Sequence, residues 1–231
     1  TKPGLVVLLD DARGREFLAS VKAAFKTADP GYLLSQSVFD GLVKGCERLA
    51  DGKAELLVGG RPLDGPGFRF APTLFKVSGS GFLKDPAAFQ LESFGSLCVL
   101  VFARDAAEMI EIASLLDGQL TTTIYSHIGG ADDRFHDALE PILRRKAGRL
   151  LNDRMPTGVA VSPAMNHGGP FPATGHPGFT SVGIPAAMLR FAALHCYDNV
   201  RPKRLPAELK DENATGSMWR FIDGTWTQKS L

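Results

Sequence analysis

The sequence predicts an α/β fold of three layers, in which helices cover both faces of a largely parallel sheet. Apolar runs of strand length alternate with segments of helical periodicity through most of the first 150 residues. Every residue of Leu97–Ala103 is apolar, which is typical of a strand covered on both faces. The chain of 231 residues has 44% apolar side chains, enough for one large core.

Local signals place the individual elements. Strands are expected over residues 4–10, 53–60, 70–77, 97–103, 119–126, 149–152 and 194–200. Helices are expected over residues 14–28, 35–50, 105–116, 132–147 and 181–191, with Asp105 as an N-cap. Pro72 has no backbone donor, which favours a sheet edge for the third strand. Alternation around Asp223-Gly224, between Trp219 and Trp226, predicts a terminal hairpin.

Charge and cysteine content exclude several classes of partner. The formal net charge is +1, so no overall field attracts nucleic acid or a membrane. No apolar run approaches the roughly 18 residues of a membrane span, so neither a membrane span nor a signal peptide is expected. Cys46, Cys98 and Cys196 are too widely spaced for a disulfide framework or a zinc site. A reducing, cytoplasmic compartment is therefore expected.

Two regions carry candidate functional residues. Glu92 and Phe94 lie just before the apolar strand, where a rigid scaffold can hold a small-ligand site. The alternative is that Glu92 caps a turn and Phe94 fills the core. The Gly- and Pro-rich loop of residues 153–183 follows a strand, and ligands of open α/β sheets bind beyond the carboxyl ends of strands. Its histidines, His167 and His176, lack a carboxylate or cysteine at zinc-like spacing, so no metal is expected.

Five motifs occur in chain order. They are Thr1-Lys2-Pro3-Gly4-Leu5, Phe70-Ala71-Pro72-Thr73-Leu74, Glu92-Ser93-Phe94-Gly95, Leu151-Asn152 and Gly169-Pro170-Phe171. Together they resemble the C-terminal part of the NAD(P)-dependent aldehyde dehydrogenases, over nearly the whole chain. The second motif is one residue shorter than the family's Phe-x-x-Pro-Thr, and Ser96 replaces the proline of Glu-x-Phe-Gly-Pro. Longer runs, at residues 156–159, 167–174 and 180–183, look specifically like the 2-oxoglutarate semialdehyde (2,5-dioxovalerate) dehydrogenase branch.

The resemblance implies oxidation of a semialdehyde to an acid through a cysteine thioester, with NADP or NAD accepting the hydride. Glu92 would accept hydrogen bonds from the nicotinamide ribose, and Phe94 would pack beside the nicotinamide. Pro170 and Phe171 would line the aldehyde tunnel. Arg154 is a candidate cation for a substrate carboxylate, the alternative being a solvated surface arginine. The carboxylate of Glu92, the ring of Phe171 and the amino terminus should then face one crevice.

The resemblance also implies that some of the catalytic residues belong to a part of the polypeptide that precedes this chain. The first motif resembles the residues that follow the catalytic cysteine, so the nucleophile would precede Thr1 and no catalytic residue is expected in this chain. We expect this polypeptide alone not to oxidise aldehydes. Residues 1–192 would form part of the catalytic domain. Residues 193–231 would form a C-terminal strand and tail that joins subunits into a homodimer or homotetramer.

Two other functions are compatible with parts of the sequence. An N-terminal-nucleophile hydrolase would use Thr1 with its own amine as base, on a fold of two stacked antiparallel sheets. A non-catalytic assembly module would keep the core and the tail without dinucleotide binding.

Overall fold

The computed structural model of the protein describes residues 3–158, 160–176, 182, 187–188 and 191–231. The chain divides into two compact units, Thr1–Arg190 and Phe191–Leu231. The elements of the first unit are β1 (Leu5–Leu9), α1 (Ala12–Thr27), α2 (Gln36–Asp51), β2 (Glu55–Val58), β3 (Thr73–Ser78), α3 (Gly79–Lys84), α4 (Pro86–Gln90), β4 (Leu97–Ala103), α5 (Ala106–Ser114), β5 (Gln119–Ile124), α6 (Asp133–Lys146) and β6 (Ala147–Asn152).

A four-stranded sheet with the order β1-β4-β3-β2 forms the centre of the first unit. β1 and β3 run parallel to β4, and β2 is antiparallel to β3. β5 and β6 form a separate parallel pair. The predicted α/β class with largely parallel strands is therefore confirmed. This topology does not match the two stacked antiparallel sheets that an N-terminal-nucleophile hydrolase requires.

Side chains of β4 alternate between two apolar clusters, one on each face of the sheet. Its odd-numbered residues pack with side chains from α2, α3, α4 and α5, and its even-numbered residues pack with α1. Successive side chains of a strand point to opposite faces, so this alternation produces the three predicted layers. All seven residues of β4 are buried. Full burial of each large apolar side chain contributes about 1.5–3 kcal/mol.

Polar side chains cap the helices that flank the sheet. Asp11, Ser35 and Asp105 each accept a hydrogen bond from a backbone N–H in the first turn of the following helix. The N-cap predicted at Asp105 is confirmed. Its carboxylate accepts the N–H of Glu108 at 2.8 Å. This bond is the main reason why the pKa of Asp105 is lowered from its ordinary value of 3.8.

Four expectations about secondary structure need correction or completion. β3 lies between β4 and β2 rather than at a sheet edge, and Pro72 precedes the strand, so its missing donor removes no hydrogen bond of the ladder. The strand expected over residues 194–200 is wrong, because these residues have no strand structure. The sequence pattern also misses α3 and α4, since Gly79 and Gly81 are poor helix formers. The helix expected over residues 181–191 falls largely outside the described residues.

The second unit ends in an antiparallel hairpin, β7 (Arg220–Ile222) and β8 (Thr225–Thr227). Asp223 and Gly224 have φ values of 48° and 78°, the positive values that a two-residue hairpin turn of this kind requires. The hairpin predicted around this dipeptide is therefore confirmed. Within the described parts of both units, no helix is both long and apolar enough to cross a bilayer.

Candidate functional site

The loop of residues 91–96 joins α4 to β4 and packs against α2. A Cβ atom at Gly45 of α2 would overlap the hydroxyl of Ser93, and a Cβ at Gly95 would lie 2.7 Å from Cδ2 of Leu42. Gly95 also has a φ of 139°, a conformation that side chains disfavour. These close approaches hold the backbone of the loop in place. Below, we refer to residues 91–96 as the Glu92 loop.

Glu92 and Phe94 are exposed and alternate with the two packed residues Ser93 and Gly95. Glu92 is exposed, and so is 67% of Phe94. Among the residues that the structure describes, none donates a hydrogen bond to the Glu92 carboxylate. The turn-capping alternative for Glu92 and the core alternative for Phe94 are both wrong. The loop thus presents a carboxylate with free acceptor capacity and, two residues away, an aromatic ring.

Gln90 is the last residue of α4 and binds the segment between α5 and β5. Its Nε2 donates to the carbonyl of Leu115 at 3.1 Å, and its Oε1 accepts the N–H of Asp117 at 2.7 Å. The adjacent Phe89 is buried and stacks on Phe82 with ring centroids 5.9 Å apart, which anchors α4 to the core. The sequence analysis misses Gln90, because a polar residue at the end of a very short helix has no distinctive spacing.

The segment that follows β6, residues 153–176, is called the wall loop. It begins at the carboxyl ends of β5 and β6, where Asp153 accepts the N–H of Ser126 at 2.6 Å. It then runs back along the strand pair. The side-chain amide of Asn166 donates to the carbonyl of Gly148 at 3.1 Å, near the amino end of β6.

Pro170 and Phe171 lie at the amino end of β5. A Cβ at Gly118 would overlap the carbonyl oxygen of Pro170 and would lie 2.5 Å from that of Phe171. A Cβ at Gly169 would likewise overlap the carbonyl of Gln119, the first residue of β5. The expectation that these residues lie beyond the carboxyl ends of the strands is therefore wrong. The Phe171 ring is 82% exposed and Pro170 is half-buried.

The two predicted regions meet through Gln90. Asp117, which Gln90 binds, directly precedes Gly118, so a short segment of backbone separates the Glu92 loop from Pro170. The beginning of the described chain lies at the amino end of β4, where the N–H of Val99 donates to Gly4 at 2.9 Å. Thr1 lies outside the described residues, so the position expected for the amino terminus stays a prediction.

Two arginines of the β6 region differ in their surroundings. Arg154 is exposed, and its backbone carbonyl accepts the hydroxyl of Thr123 at 3.0 Å. Arg149, which the sequence analysis misses, is half-buried and donates to the carbonyl of Gly158 at 2.7 Å. Its Nε is buried without an acceptor, and no carboxylate among the described residues pairs with it. Arg149 therefore binds the wall loop to β6.

None of the thiols in the first unit is suited to nucleophilic attack. Cys46 is buried, and burial followed by the nearby charge of Glu47 raises its pKa to about 11. Cys98 is buried inside β4. Cys196 is exposed and belongs to the second unit. In the described ranges, no group of three His, Cys, Asp or Glu side chains could hold a metal ion.

Two surface cavities of the described residues lie away from the predicted site residues. One, of about 390 Å³, lies between the end of α1 and residues 58–72. The other, of about 420 Å³, lies between Arg13 and residues 125–132. Neither is lined by the Glu92 loop or by Pro170 and Phe171.

The second unit presents aromatic rings and is held together by polar side chains. The guanidinium of Arg220 donates to three backbone carbonyls, of which those of Lys210 and Lys229 lie at 2.6 and 2.7 Å. Asn213 donates to two further carbonyls on either side of the hairpin. Three rings of the hairpin region are 61–63% exposed, namely Trp219, Phe221 and Trp226.

Comparisons with known proteins agree on one group of enzymes, although no family model matches the chain. The chain is 36% identical over 214 residues to alpha-ketoglutaric semialdehyde dehydrogenase 2 of Azospirillum brasilense, covering 92% of this chain and 40% of that protein. It is 34% identical over 237 residues to alpha-ketoglutaric semialdehyde dehydrogenase of Acinetobacter baylyi, covering 99% and 43%. The chain thus spans about two fifths of the length of these curated relatives.

Solved structures extend this similarity to the fold. A 1-pyrroline-5-carboxylate dehydrogenase from Thermus, solved with bound NAD, is 26% identical with a TM-score of 0.55, over 72% of this chain and 31% of that one. An NAD-dependent aldehyde dehydrogenase from Sinorhizobium meliloti matches with the same TM-score over 72% and 32%, at 20% identity, which supports the fold alone.

Proposed function

This chain belongs to the aldehyde dehydrogenase superfamily, and from that premise we propose that it supplies the nicotinamide-side and aldehyde-side surfaces of an NAD(P)-dependent semialdehyde dehydrogenase. The proposed reaction is oxidation of 2-oxoglutarate semialdehyde to the corresponding dicarboxylic acid. One observation carries the proposal. The unpaired carboxylate of Glu92 and the exposed ring of Phe171 belong to two loops that Gln90 and Gly118 connect.

The Glu92 loop has the chemistry that a nicotinamide nucleotide needs. Vicinal ribose hydroxyls are donors, and an ionised carboxylate offers two oxygens that can accept both. Glu92 is exposed and has no donor among the described residues, so this capacity is available to a ligand. The exposed ring of Phe94 would pack against the nicotinamide and limit its movement. When bound, the dinucleotide accepts the hydride that leaves the substrate.

The wall loop would form the aldehyde side. Phe171 and Pro170 offer an apolar surface along which the carbon chain of the substrate can pass. A semialdehyde of 2-oxoglutarate also carries a carboxylate, which calls for a cation. The candidate is Arg154, which is exposed and whose guanidinium has no carboxylate partner among the described residues. It follows the carboxyl end of β6, beside Thr123, whereas Phe171 lies at the amino end of β5, so its side chain would have to reach along the strand pair to meet the same substrate. The relatives from Azospirillum brasilense and Acinetobacter baylyi are both named for this substrate.

The thiol nucleophile would lie outside these 231 residues. The two thiols of the first unit are buried, and Cys46 has a raised pKa. The edge strand β1 supports the same view. Its five residues are all apolar and only half-buried, and no described strand pairs with its outer side. Apolar strand edges are normally covered. In this proposal another segment of the enzyme covers β1, and this chain alone is inactive.

The second unit would serve assembly. We propose residues 1–192 as part of the catalytic domain and residues 193–231 as the segment that joins subunits into a homodimer or homotetramer. The exposed rings of Trp219 and Trp226 support this, because indole rings are enriched at protein interfaces.

Free, buried thiols are consistent with a reducing cytoplasm. An assembly module without catalysis is the second candidate, and its distinguishing property would be self-association without dinucleotide binding.

The test uses the full open reading frame that encodes this chain, and Glu92→Gln is the diagnostic change. The carboxylate charge is lost while the shape is kept, so we expect the Kd for NAD(P)⁺ to rise about tenfold, as for a lost charge-assisted hydrogen bond. The control is Glu111→Gln, another exposed glutamate, on α5. Calorimetry gives the Kd, and NAD(P)H absorbance gives the rate with 2-oxoglutarate semialdehyde.

Two outcomes would contradict the proposal. One is an unchanged Kd in Glu92→Gln. The other is NAD(P)H formation by the isolated 231-residue chain above a buffer control. A third variant, Arg154→Ala, tests whether the substrate carries a carboxylate that Arg154 binds, independently of whether the enzyme oxidises aldehydes. It should raise KM for the semialdehyde and leave KM for a neutral aldehyde of equal length unchanged. An unchanged KM for both would remove Arg154 from the site.

A further inference from the structure

We infer that Gln90 is a positioning residue that sets the spacing between the Glu92 loop and the Pro170–Phe171 segment. The inference rests on the proposed function, because it assigns those two segments to the cofactor and the aldehyde. Gln90 itself touches neither reactant. It acts through the backbone of residues 115–118.

The hydrogen bonds of Gln90 use both ends of its side-chain amide. Nε2 donates to Leu115 at 3.1 Å and Oε1 accepts from Asp117 at 2.7 Å, so the α5–β5 connection is bound through one carbonyl and one N–H. A side-chain amide supplies a donor and an acceptor together, and that of Gln90 reaches both backbone groups. A glutamate at position 90 would keep the acceptor and lose the donor. A methionine would keep the volume and lose both bonds.

The contact beyond Asp117 is made by backbone alone. Gly118 packs so closely on the carbonyls of Pro170 and Phe171 that a Cβ there would overlap the first of them. A displacement of residues 115–118 is therefore passed directly to the wall loop, since no flexible side chain lies between. On the other side, one residue separates Gln90 from Glu92, and the buried Phe89 prevents α4 from adjusting.

The expected consequence is a change in both ligand sites at once. Without the two hydrogen bonds of Gln90, the Glu92 loop and the Pro170–Phe171 segment can move independently. The Glu92 carboxylate and the Phe171 ring then no longer keep a fixed position relative to each other. Attack of a thiol on the aldehyde and transfer of the hydride would both depend on reactants held in a fixed geometry, and small displacements are costly. A residue that merely stabilises the fold would instead lower the thermal midpoint and the fraction of active enzyme while KM stays constant.

The experiment compares Gln90→Met and Gln90→Glu in the full open reading frame with Gln36→Met as the control. Gln36 makes an exposed hydrogen bond of 2.7 Å to Asp40 within α2, and among the described residues it makes no side-chain hydrogen bond to either loop. We measure the Kd for NAD(P)⁺ by calorimetry, KM and kcat with 2-oxoglutarate semialdehyde, and the thermal midpoint. Gln90→Met should raise the Kd and the KM about tenfold, the loss expected for two neutral hydrogen bonds. Gln90→Glu should lie between wild type and Gln90→Met.

Each outcome has a distinct meaning. A lower thermal midpoint with unchanged Kd and KM would overturn the positioning role and leave the proposed function intact. A rise in KM for the aldehyde with an unchanged Kd for the dinucleotide would also overturn it, because the spacing argument requires both. Absence of activity and of dinucleotide binding in the wild-type polypeptide would contradict the proposed function itself.

Discussion

The sheet of the first unit and the hairpin of the second unit are both predicted from local sequence patterns, yet different forces hold them. All seven residues of β4 are buried between two layers of helices. In the hairpin, the rings of Phe221 and Trp226 pair at 5.2 Å and still remain more than 60% exposed. Arg220 and Asn213 hold the hairpin by hydrogen bonds to backbone carbonyls. The unbroken apolar run thus predicts the burial of β4, whereas the alternating pattern of the hairpin predicts its strands without predicting how deeply their rings are buried.

The largest effect that would test this comparison is expected for Phe75→Ala in β3. Phe75 is 1% exposed in the main apolar cluster, so the truncation leaves a cavity and should cost about 3–5 kcal/mol of unfolding free energy. Urea unfolding followed by far-ultraviolet circular dichroism measures it, since α1 to α6 all lie in the first unit. A cost below about 1 kcal/mol would contradict the assignment of Phe75 to the core.

A smaller loss is expected for Arg220→Met in the second unit. The guanidinium donates to three carbonyls, and we expect about 2 kcal/mol of local stability to be lost with it. Tryptophan fluorescence reports this unit alone, because Trp219 and Trp226 are the two tryptophans of the chain. Arg201→Met, at an exposed arginine of the same unit, is the matched control. Equal unfolding curves for the two variants would show that burial, and not this network, holds the hairpin.

A third change, Trp226→Ala, compares directly with Phe75→Ala as a second truncation of an aromatic ring. Because 63% of Trp226 is exposed and its ring partner is Phe221, we expect a loss of about 1 kcal/mol or less. Urea unfolding followed by the fluorescence of Trp219 measures it. A loss as large as that of Phe75→Ala at low protein concentration would mean that the hairpin face is covered within a subunit.

The smallest effect is expected for Asp105→Asn, which removes a charge at the surface of the first unit and not a side chain from its core. The fold lowers the pKa of Asp105, so its charged form stabilises the native state above the ordinary value of 3.8. That contribution is lost as the pH falls through the lowered pKa. The thermal midpoint of the variant should lie slightly below that of wild type at pH 7, and the difference should vanish at acidic pH. A difference that is independent of pH would exclude the charge as its cause.

Sequence reasoning succeeds where the determining interactions are local. The strand at Leu97–Ala103, the cap at Asp105 and the turn at Asp223-Gly224 all follow from neighbouring residues. It fails over residues 194–200, where an apolar pattern has no partner strand. It also misplaces Pro170, because whether a long loop doubles back along a strand pair depends on contacts such as that between Asn166 and Gly148.

The candidate site shows the same contrast between features set by neighbouring residues and features set by distant contacts. Glu92, Phe94, Pro170 and Phe171 are predicted from motifs, and Arg154 from its position just after Asn152; their roles stay predictions. Their arrangement is not predicted from motifs, since the bonds of Gln90 join residues more than 20 positions apart.

By itself, the amino-acid sequence determined the α/β class, the buried central strand and the cap at Asp105, since composition, periodicity and short-range chemistry encode them. It also carries the motifs that resemble those of the aldehyde dehydrogenases. The tertiary structure alone decided that β3 is an interior strand, that the wall loop returns to the amino end of β5, and that Gln90 connects the end of α4 to the segment before β5. These features depend on close packing between segments distant in sequence, where a single glycine or amide determines which backbones can meet.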